Sequence, residues 1–326
     1  MIVRPSPVRP RRIEDLVDPA LAARIDRLDV LSRKVFAGKM PGERRSKRRG
    51  RSVEFDDYRP YVEGDDLRHI DWNAFARFDR FFIKLFREDE DLAVHLVLDV
   101  SASMEAGTPS KLTFGKRLTM ALGYIGLVNQ NRVAMSVIGE SGGRGVRSLT
   151  PIRGRRNVQR LAAFILDAGL SEGSEAQAAS PSRTMTEMMR ELAQSRAGRG
   201  VMVVISDFLV PDDPGRMLNY LATGFVGGGF DTTCVQVMSP GEMDPARESD
   251  LGLTGDVRLT DAETGRHAEI TLTAPLVAQY KRRLASHCER LRSACAIRRM
   301  GHVLVQSDVS VETLLLDGLR RRRLVG

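Results

Sequence analysis

From residue 93 onward the chain alternates between short apolar runs and longer stretches with helical spacing. Residues 93–100 are almost wholly apolar and run into an acidic loop, the pattern of a strand buried on both faces. Residues 133–138, 201–205, 232–238 and 302–305 repeat that pattern on a similar or smaller scale. Between them the apolar periodicity predicts helices near 111–128, 155–169, 185–195, 214–225, 275–296 and 310–322. Residues 146–149 pair as a hairpin with the strand before them. A polar hairpin, 257–260 and 268–272, turns at Glu263-Thr264-Gly265. Strands separated by helices imply an α/β fold, a mostly parallel sheet with helices on both faces.

The first ninety residues read differently. Leu16, Leu21, Ile25, Leu28, Leu31 and Val35 fall near one stripe and predict a helix over 14–38, stopped by Gly38 and Pro41-Gly42. Residues 52–55 and 81–86 read as short strands, with 56–72 polar and turn-rich between them. The expected organisation is therefore a basic region, 1–90, packing its helix and short strands on the core. An α/β domain, 91–326, follows, with a hairpin insertion near 256–272.

Composition narrows the class. Hydrophobic residues make up 42% and charged residues 28% of the 326, ordinary for a globular chain with a proper core. No apolar stretch is long enough for a membrane span, and the N-terminus lacks an apolar signal core, so a cytoplasmic location is expected. Three cysteines, Cys234, Cys288 and Cys295, form no CxxC pair and suit a reducing compartment. Cys288 and Cys295, seven apart, fit one helical face as small core residues. The net charge of +8 sits mainly in residues 1–60, with 16 Lys/Arg against 9 Asp/Glu. Residues 44–51 and Arg320 to Arg323 are basic runs without interleaved aromatics. That favours a solvated or partner-facing surface over nucleic acid, which would bind with a steep salt dependence.

The candidate chemistry lies where two of the most apolar strands end. Ligands in open α/β sheets sit at the carboxyl ends of strands. Here those ends are Asp99-Val100-Ser101-Ala102-Ser103 and Ser206-Asp207. Asp99, Ser101 and Ser103 alternate, so one extended turn can aim three oxygens at a point. Hard oxygen ligands select Mg²⁺, Mn²⁺ or Ca²⁺ over zinc or copper. Neutral serines leave such an ion under-compensated and open to an external carboxylate, which suits binding better than hydrolysis. The alternative for the same residues is a helix cap.

Asp-x-Ser-x-Ser after an apolar strand resembles the metal-ion-dependent adhesion site of von Willebrand factor A domains. That resemblance implies a Rossmann-like fold, a Thr from a second loop, an Asp from a third, and a partner's Glu or Asp in the last position. In Ser182-Arg183-Thr184-Met185-Thr186 the Thr is Thr184, with Thr186 as the alternative, and the closing Asp is Asp207. The family's usual run at this loop is Gly-Gly-Thr-Asp, from which Ser182, Arg183 and Met185 depart. Upstream, Ser46, Gly50, Glu54-Phe55, Arg59, Tyr61, Gly64-Asp65-Asp66, Arg68, Ile70-Asp71-Trp72 and Ala76-Arg77 are similar to the signature of the bacterial "domain of unknown function 58" family. The resemblance runs from about residue 14 to 323. It implies work beside a MoxR-type AAA+ ATPase in assembling or activating client proteins; the neutral serines make a non-enzymatic module, with no catalytic residue, the first expectation. Residues 64–72 then read either as a rigid turn docking on the metal-binding domain, or as a buried Arg–carboxylate network with Trp72 in the core.

Other motifs lead elsewhere. Gly139-Glu140-Ser141-Gly142-Gly143 has the Gly-x-Ser-x-Gly form of a nucleophile elbow, but a strand rather than a helix is predicted after it. Gly115-Lys116-Arg117 lacks the earlier glycine and the following Ser/Thr of a P-loop. The five histidines show no ligand spacing, and His95 inside an apolar strand reads as a satisfied core residue. A competing function is a metal-dependent hydrolase, a phosphatase or nuclease, on the same carboxylates. No His or Glu sits in the motif loops to act as its base, although Glu105 is near.

Overall fold

The computed structural model describes residues 9–32, 54–62, 70–87, 93–140, 145–169, 183–195, 200–210, 213–223, 229–245, 255–260, 267–322 and 324–326. The chain divides into two compact units, one of residues 34–91 and one of residues 1–33 with 92–326.

The larger unit begins with two short helices, α1 (Ile13–Leu16) and α2 (Pro19–Ile25), where the apolar stripe predicted one. Val17 is extended, and Asp18 caps α2 by accepting from Leu21 N at 2.7 Å, with Pro19 in the first turn. Proline lacks an N–H and is disfavoured in a helix interior but welcome at its start, so the chain breaks there. After α2 the chain pairs with its own C-terminus. Val30 bridges Val325, and Asp29 and Gly326 exchange backbone bonds of 2.8 and 2.9 Å. Residues 33–38 of the expected helix and the basic run 44–51 lie outside the described residues.

The smaller unit contains β1 (Glu54–Pro60), α3 (Trp72–Phe78) and β2 (Phe82–Arg87), with the strands antiparallel. Asp71 is 5% exposed and caps α3, accepting from Asn73 N and Ala74 N, while Tyr58 Oη donates to its other oxygen at 2.8 Å. Phe75 and Phe81 stack with centroids 4.5 Å apart, and Trp72 meets both edge-on. Trp72 is nevertheless 63% exposed, so the expectation of Trp72 as a core residue is not met. Residues 64–69 lie outside the described residues.

The α/β unit continues with β3 (Ala93–Asp99), α4 (Lys111–Val128), β4 (Arg132–Ile138), β5 (Arg147–Arg153), α5 (Val158–Asp167) and α6 (Met185–Ser195). Then come β6 (Gly200–Ser206), α7 (Pro214–Thr223), β7 (Phe230–Met238), the short α8 (Pro240–Met243), β8 (Gly255–Thr260) and β9 (His267–Leu272). The unit closes with α9 (Ala274–Ile297), β10 (Gly301–Gln306) and α10 (Val311–Thr313), which widens into a π-type turn over Leu314–Leu319. Six strands form one sheet in the order β10-β7-β6-β3-β4-β5. All neighbours are parallel except β5, which returns antiparallel beside β4. β8 and β9 form the separate antiparallel hairpin.

Successive strand side chains face opposite ways, and both faces of β3 are covered. Val94, Leu96 and Leu98 lie under α4, which approaches so closely that a methyl on Gly126 would stand 2.8 Å from Val133. Val97 joins Met202 and Val204 of β6 in a cluster with Met189 and Leu192 of α6, Met217 and Leu221 of α7, and Leu291 of α9. Each such fully buried side chain contributes about 1.5–3 kcal/mol of transfer free energy. Helices thus flank a mostly parallel sheet. Cys234 and Cys295 are buried in the core and Cys288 is half-buried. Among the described residues no helix is long and apolar enough to cross a membrane.

Candidate functional site

The sheet order reverses at β3. Its next strand, β4, lies on one side, while β6 lies on the other. Such a switch point leaves a crevice at the carboxyl ends of the strands, because successive connections depart in opposite directions. Asp99 ends β3, Gly139 follows β4, and Ser206-Asp207 closes β6. All three loops are therefore brought to one edge by topology.

Asp99 is 2% exposed. Its Oδ1 accepts from Ser101 N at 2.9 Å, which folds the loop back on itself, and its Oδ2 accepts from Ser206 Oγ at 2.6 Å. Gly139 forms the neighbouring wall. It has φ +79°, and a Cβ there would stand 2.7 Å from Asp99 Oδ1 and 2.9 Å from Ser101 N. Only glycine meets both conditions without strain. Ser101 and Ser103 are half-buried, and their hydroxyl oxygens lie 3.1 Å apart. The helix-cap alternative does not hold: Ser101 stands at the N-cap of the 3-10 turn Ala102–Glu105 without a side-chain cap bond, and α4 is capped by Ser110, accepting from Thr113 N.

Asp207 is 1% exposed and differently held. Its Oδ1 accepts from Leu209 N at 3.0 Å, and its Oδ2 accepts from Lys111 Nζ at 2.7 Å. Lys111 itself is wholly buried and also pairs with Glu242. Phe208, next in the loop, adopts φ +53° with 1% exposure. Its N–H donates to Ser206 Oγ, and its carbonyl lies 2.9 Å from His287 Nε2. Gln236 donates to the Asp207 carbonyl at 3.1 Å and lies 3.2 Å from His302 Nε2. The loop is thus anchored from α9, β7 and β10. A left-handed conformation costs a non-glycine residue about 1–2 kcal/mol, and these contacts hold it.

Electrostatics separates the two acids. Burial first, and then the charge of Asp207, raise the Asp99 pKa to about 6, against the hydrogen bonds from Ser206 and Ser101. Among the described residues Asp99 has no cationic partner. A buried carboxylate in one loop with the Ser101 and Ser103 hydroxyls, themselves 3.1 Å apart, offers the oxygen donors a hard divalent cation takes. Among the described residues no group of three His, Cys, Asp or Glu is gathered for a metal, so the donors here are two carboxylates with hydroxyls.

Asp99, Ser101, Ser103 and Asp207 are brought together at this edge. Thr184 is exposed and caps α6 reciprocally. Its Oγ1 accepts from Glu187 N at 3.2 Å, and its N–H donates to Glu187 Oε2 at 3.0 Å. The first turn of α6 reaches the site through Met188, whose sulfur accepts from Gly139 N at 3.2 Å. Thr186 is half-buried in the same turn. Ser182 lies outside the described residues. Glu105 is turned to Arg9, with which it forms an ion pair. His95 is buried with Nε2 2.9 Å from Ser136 Oγ. Ser141 lies outside the described residues, but the strand β5 that follows rules out the elbow geometry.

Lys111, Glu242, Gly139 and Ser206's bond to Asp99 were not foreseen from the sequence. Lys111 reads there as an ordinary first residue of a helix, and nothing near it in sequence signals the carboxylates that bury it.

A family model described as DUF58, protein of unknown function, matches residues 57–290. The chain belongs to the DUF58 family. All five candidate ligands of this DUF58 protein fall within the matched span. Uncharacterized proteins of Mycobacterium bovis and Mycobacterium tuberculosis are each 26% identical over 293 residues, covering 89% of this chain and 86% of theirs. One of Mycobacterium avium is 35% identical over 103 residues, 32% of this chain and 53% of its own. Among solved structures, the pilus adhesin SpaC of Lactobacillus rhamnosus GG aligns with 72% of this chain and 31% of its own. At 12% identity and a TM-score of 0.29 that likeness carries no argument.

Proposed function

We propose that this DUF58 protein is a von Willebrand factor A-like binding module whose adhesion-type site holds Mg²⁺, or Mn²⁺ or Ca²⁺ in its place. Asp99, Ser101 and Ser103 would hold the ion; Asp207, already paired with Lys111, and Thr184, which caps α6, are the remaining candidates of the set. The observation that carries the reading is Asp99, a buried carboxylate at a sheet switch point, raised to about 6 and lacking a cation among the described residues. A bound ion would supply a positive charge that neutral serines leave partly uncompensated. An acidic side chain of a partner is the natural complement. The partner we propose is a MoxR-type AAA+ ATPase or a client that it remodels, with no chemical turnover at the site.

The test is capture of a purified MoxR-type ATPase in Mg²⁺ and in EDTA, by the wild type and by Asp99→Ala. Capture lost in EDTA and in the folded variant supports the reading, and capture unchanged in both refutes it. Phosphatase and nuclease assays with Mn²⁺ run alongside; robust metal-dependent turnover lost in Asp99→Ala would replace the binding module with a hydrolase.

A further inference from the structure

Lys111 is the least expected group in the molecule. It opens α4, yet its side chain is 0% exposed, and lysine is almost never fully buried unless paired. Its pairing is complete and comes from two directions. Nζ donates to Asp207 Oδ2 at 2.7 Å in the loop after β6, and to Glu242 of α8. Glu242 is itself fixed, because its Oε2 accepts from Ser239 N at 2.8 Å while Ser239 Oγ accepts from Glu242 N. The loop after β6 and the short α8 therefore clamp one ammonium beside the candidate metal site.

The position matters because Asp207 and Asp99 sense each other's charge. An ammonium bound to one of two neighbouring carboxylates cancels much of the field that the pair would present to a third ion. It also occupies Asp207 Oδ2, while Leu209 N occupies Oδ1.

We propose that Lys111 is a tethered cation that competes with the divalent metal for Asp207, holding that carboxylate back from direct coordination. This rests on the metal-binding reading of Asp99, Ser101 and Ser103. With Asp207 neutralised by its own ammonium, a divalent ion at Asp99 meets one negative charge and neutral hydroxyls. The metal then binds weakly alone and strongly once a partner brings a carboxylate. Lys111 is a positioning residue, and Glu242 moderates it by sharing the ammonium.

Lys111→Met and Glu242→Gln should act in opposite directions, which a purely structural role would not produce. Removing the ammonium frees Asp207 for the metal. Removing Glu242's charge leaves the ammonium to Asp207 alone. Calorimetric titration of the chelator-stripped full chain with Mg²⁺ and with Mn²⁺ reads this directly, with circular dichroism to check folding. Lys111→Met should tighten metal binding by about tenfold, and Glu242→Gln should weaken it by roughly threefold. Asp99→Ala should abolish it. Lys111→Met binding no tighter than wild type overturns the proposal. Should that variant fail to fold, Glu242→Gln binding as tightly as wild type or more so overturns it instead. Wild-type binding that is lost in Asp99→Ala but insensitive to Lys111→Met removes the tethered cation and leaves the metal site standing. No binding in any folded chain at millimolar metal removes both.

Discussion

Asp99 and Asp207 close neighbouring parallel strands and are equally hidden, at 2% and 1% exposure, but their surroundings differ in kind. Each accepts a backbone N–H at one oxygen. At the other, Asp207 receives a buried ammonium and Asp99 only a serine hydroxyl. Hydrogen-bond satisfaction is therefore similar, and counter-charge is what separates them. A buried carboxylate without a cation resists ionisation, because a dipole replaces only part of the lost hydration. The site is half neutralised from within, and its remaining demand for positive charge is concentrated on Asp99.

Three substitutions test the difference between the two acids. The largest effect is expected from Gly139→Ala, which crowds Asp99 without touching Asp207. The left-handed φ and the 2.7 Å approach to Asp99 Oδ1 should together cost about 2–4 kcal/mol of unfolding free energy in urea titration. A loss well under about 1 kcal/mol would show that the end of β4 is not a wall of the Asp99 pocket.

Asp99→Asn comes next. The folded pKa of about 6 lies above the ordinary 3.8, so its contribution to stability is fully present below 3.8 and lost as pH rises through 6. Above that range the ionised side chain costs on the order of 3 kcal/mol, which asparagine removes. In EDTA near neutral pH (about 7) the variant should therefore melt higher than wild type, and the advantage should vanish in acid near about pH 3. Mg²⁺ should narrow the gap by stabilising only the wild type. Equal melting near neutral pH would mean that Asp99 is already neutralised, and the contrast with Asp207 would fall.

The smallest effect belongs to Thr184→Ala. Loss of the α6 cap should cost about 1 kcal/mol in thermal or denaturant unfolding. The same variant sharpens the ligand set through its Mg²⁺ affinity. A weakening of about tenfold or more, some 1.4 kcal/mol, would add the Thr184 hydroxyl to the sphere, whereas unchanged affinity would confine Thr184 to the helix cap.

The sheet strands and longer helices beyond residue 93 were legible because each is strongly periodic and bounded by polar residues, whereas the four-residue α8 (Pro240–Met243) is too short to show a period. The run over 93–100 became β3, Ala93–Asp99, and the helix expected over 111–128 became α4, Lys111–Val128. The N-terminal stripe misled because Leu16, Leu21 and Ile25 keep helical spacing across a break that Asp18-Pro19 imposes. The helix α3 begins at the end of the turn-rich segment 56–72 and runs on through residues outside every predicted element, although Asp71 before Trp72 is a valid cap. Of the candidate site, Asp99, Ser101, Ser103 and Asp207 were legible because each follows an apolar strand. Gly139 and Lys111 were not, since what matters is the atom each approaches across the fold.

The order of apolar runs and helices by itself determined the α/β class, the strand ends that carry Asp99 and Asp207, and the loop that carries both serines. Local periodicity and turn chemistry act within a few residues, and that range is enough for elements and their boundaries. The folded chain brings Lys111, 96 residues from Asp207 and 131 from Glu242, onto one acid, while Asp99 has hydrogen bonds but no cation among the described residues. Charge pairing depends on distances through the folded interior, where the dielectric is low and a single ammonium a few ångströms away outweighs anything written along the chain.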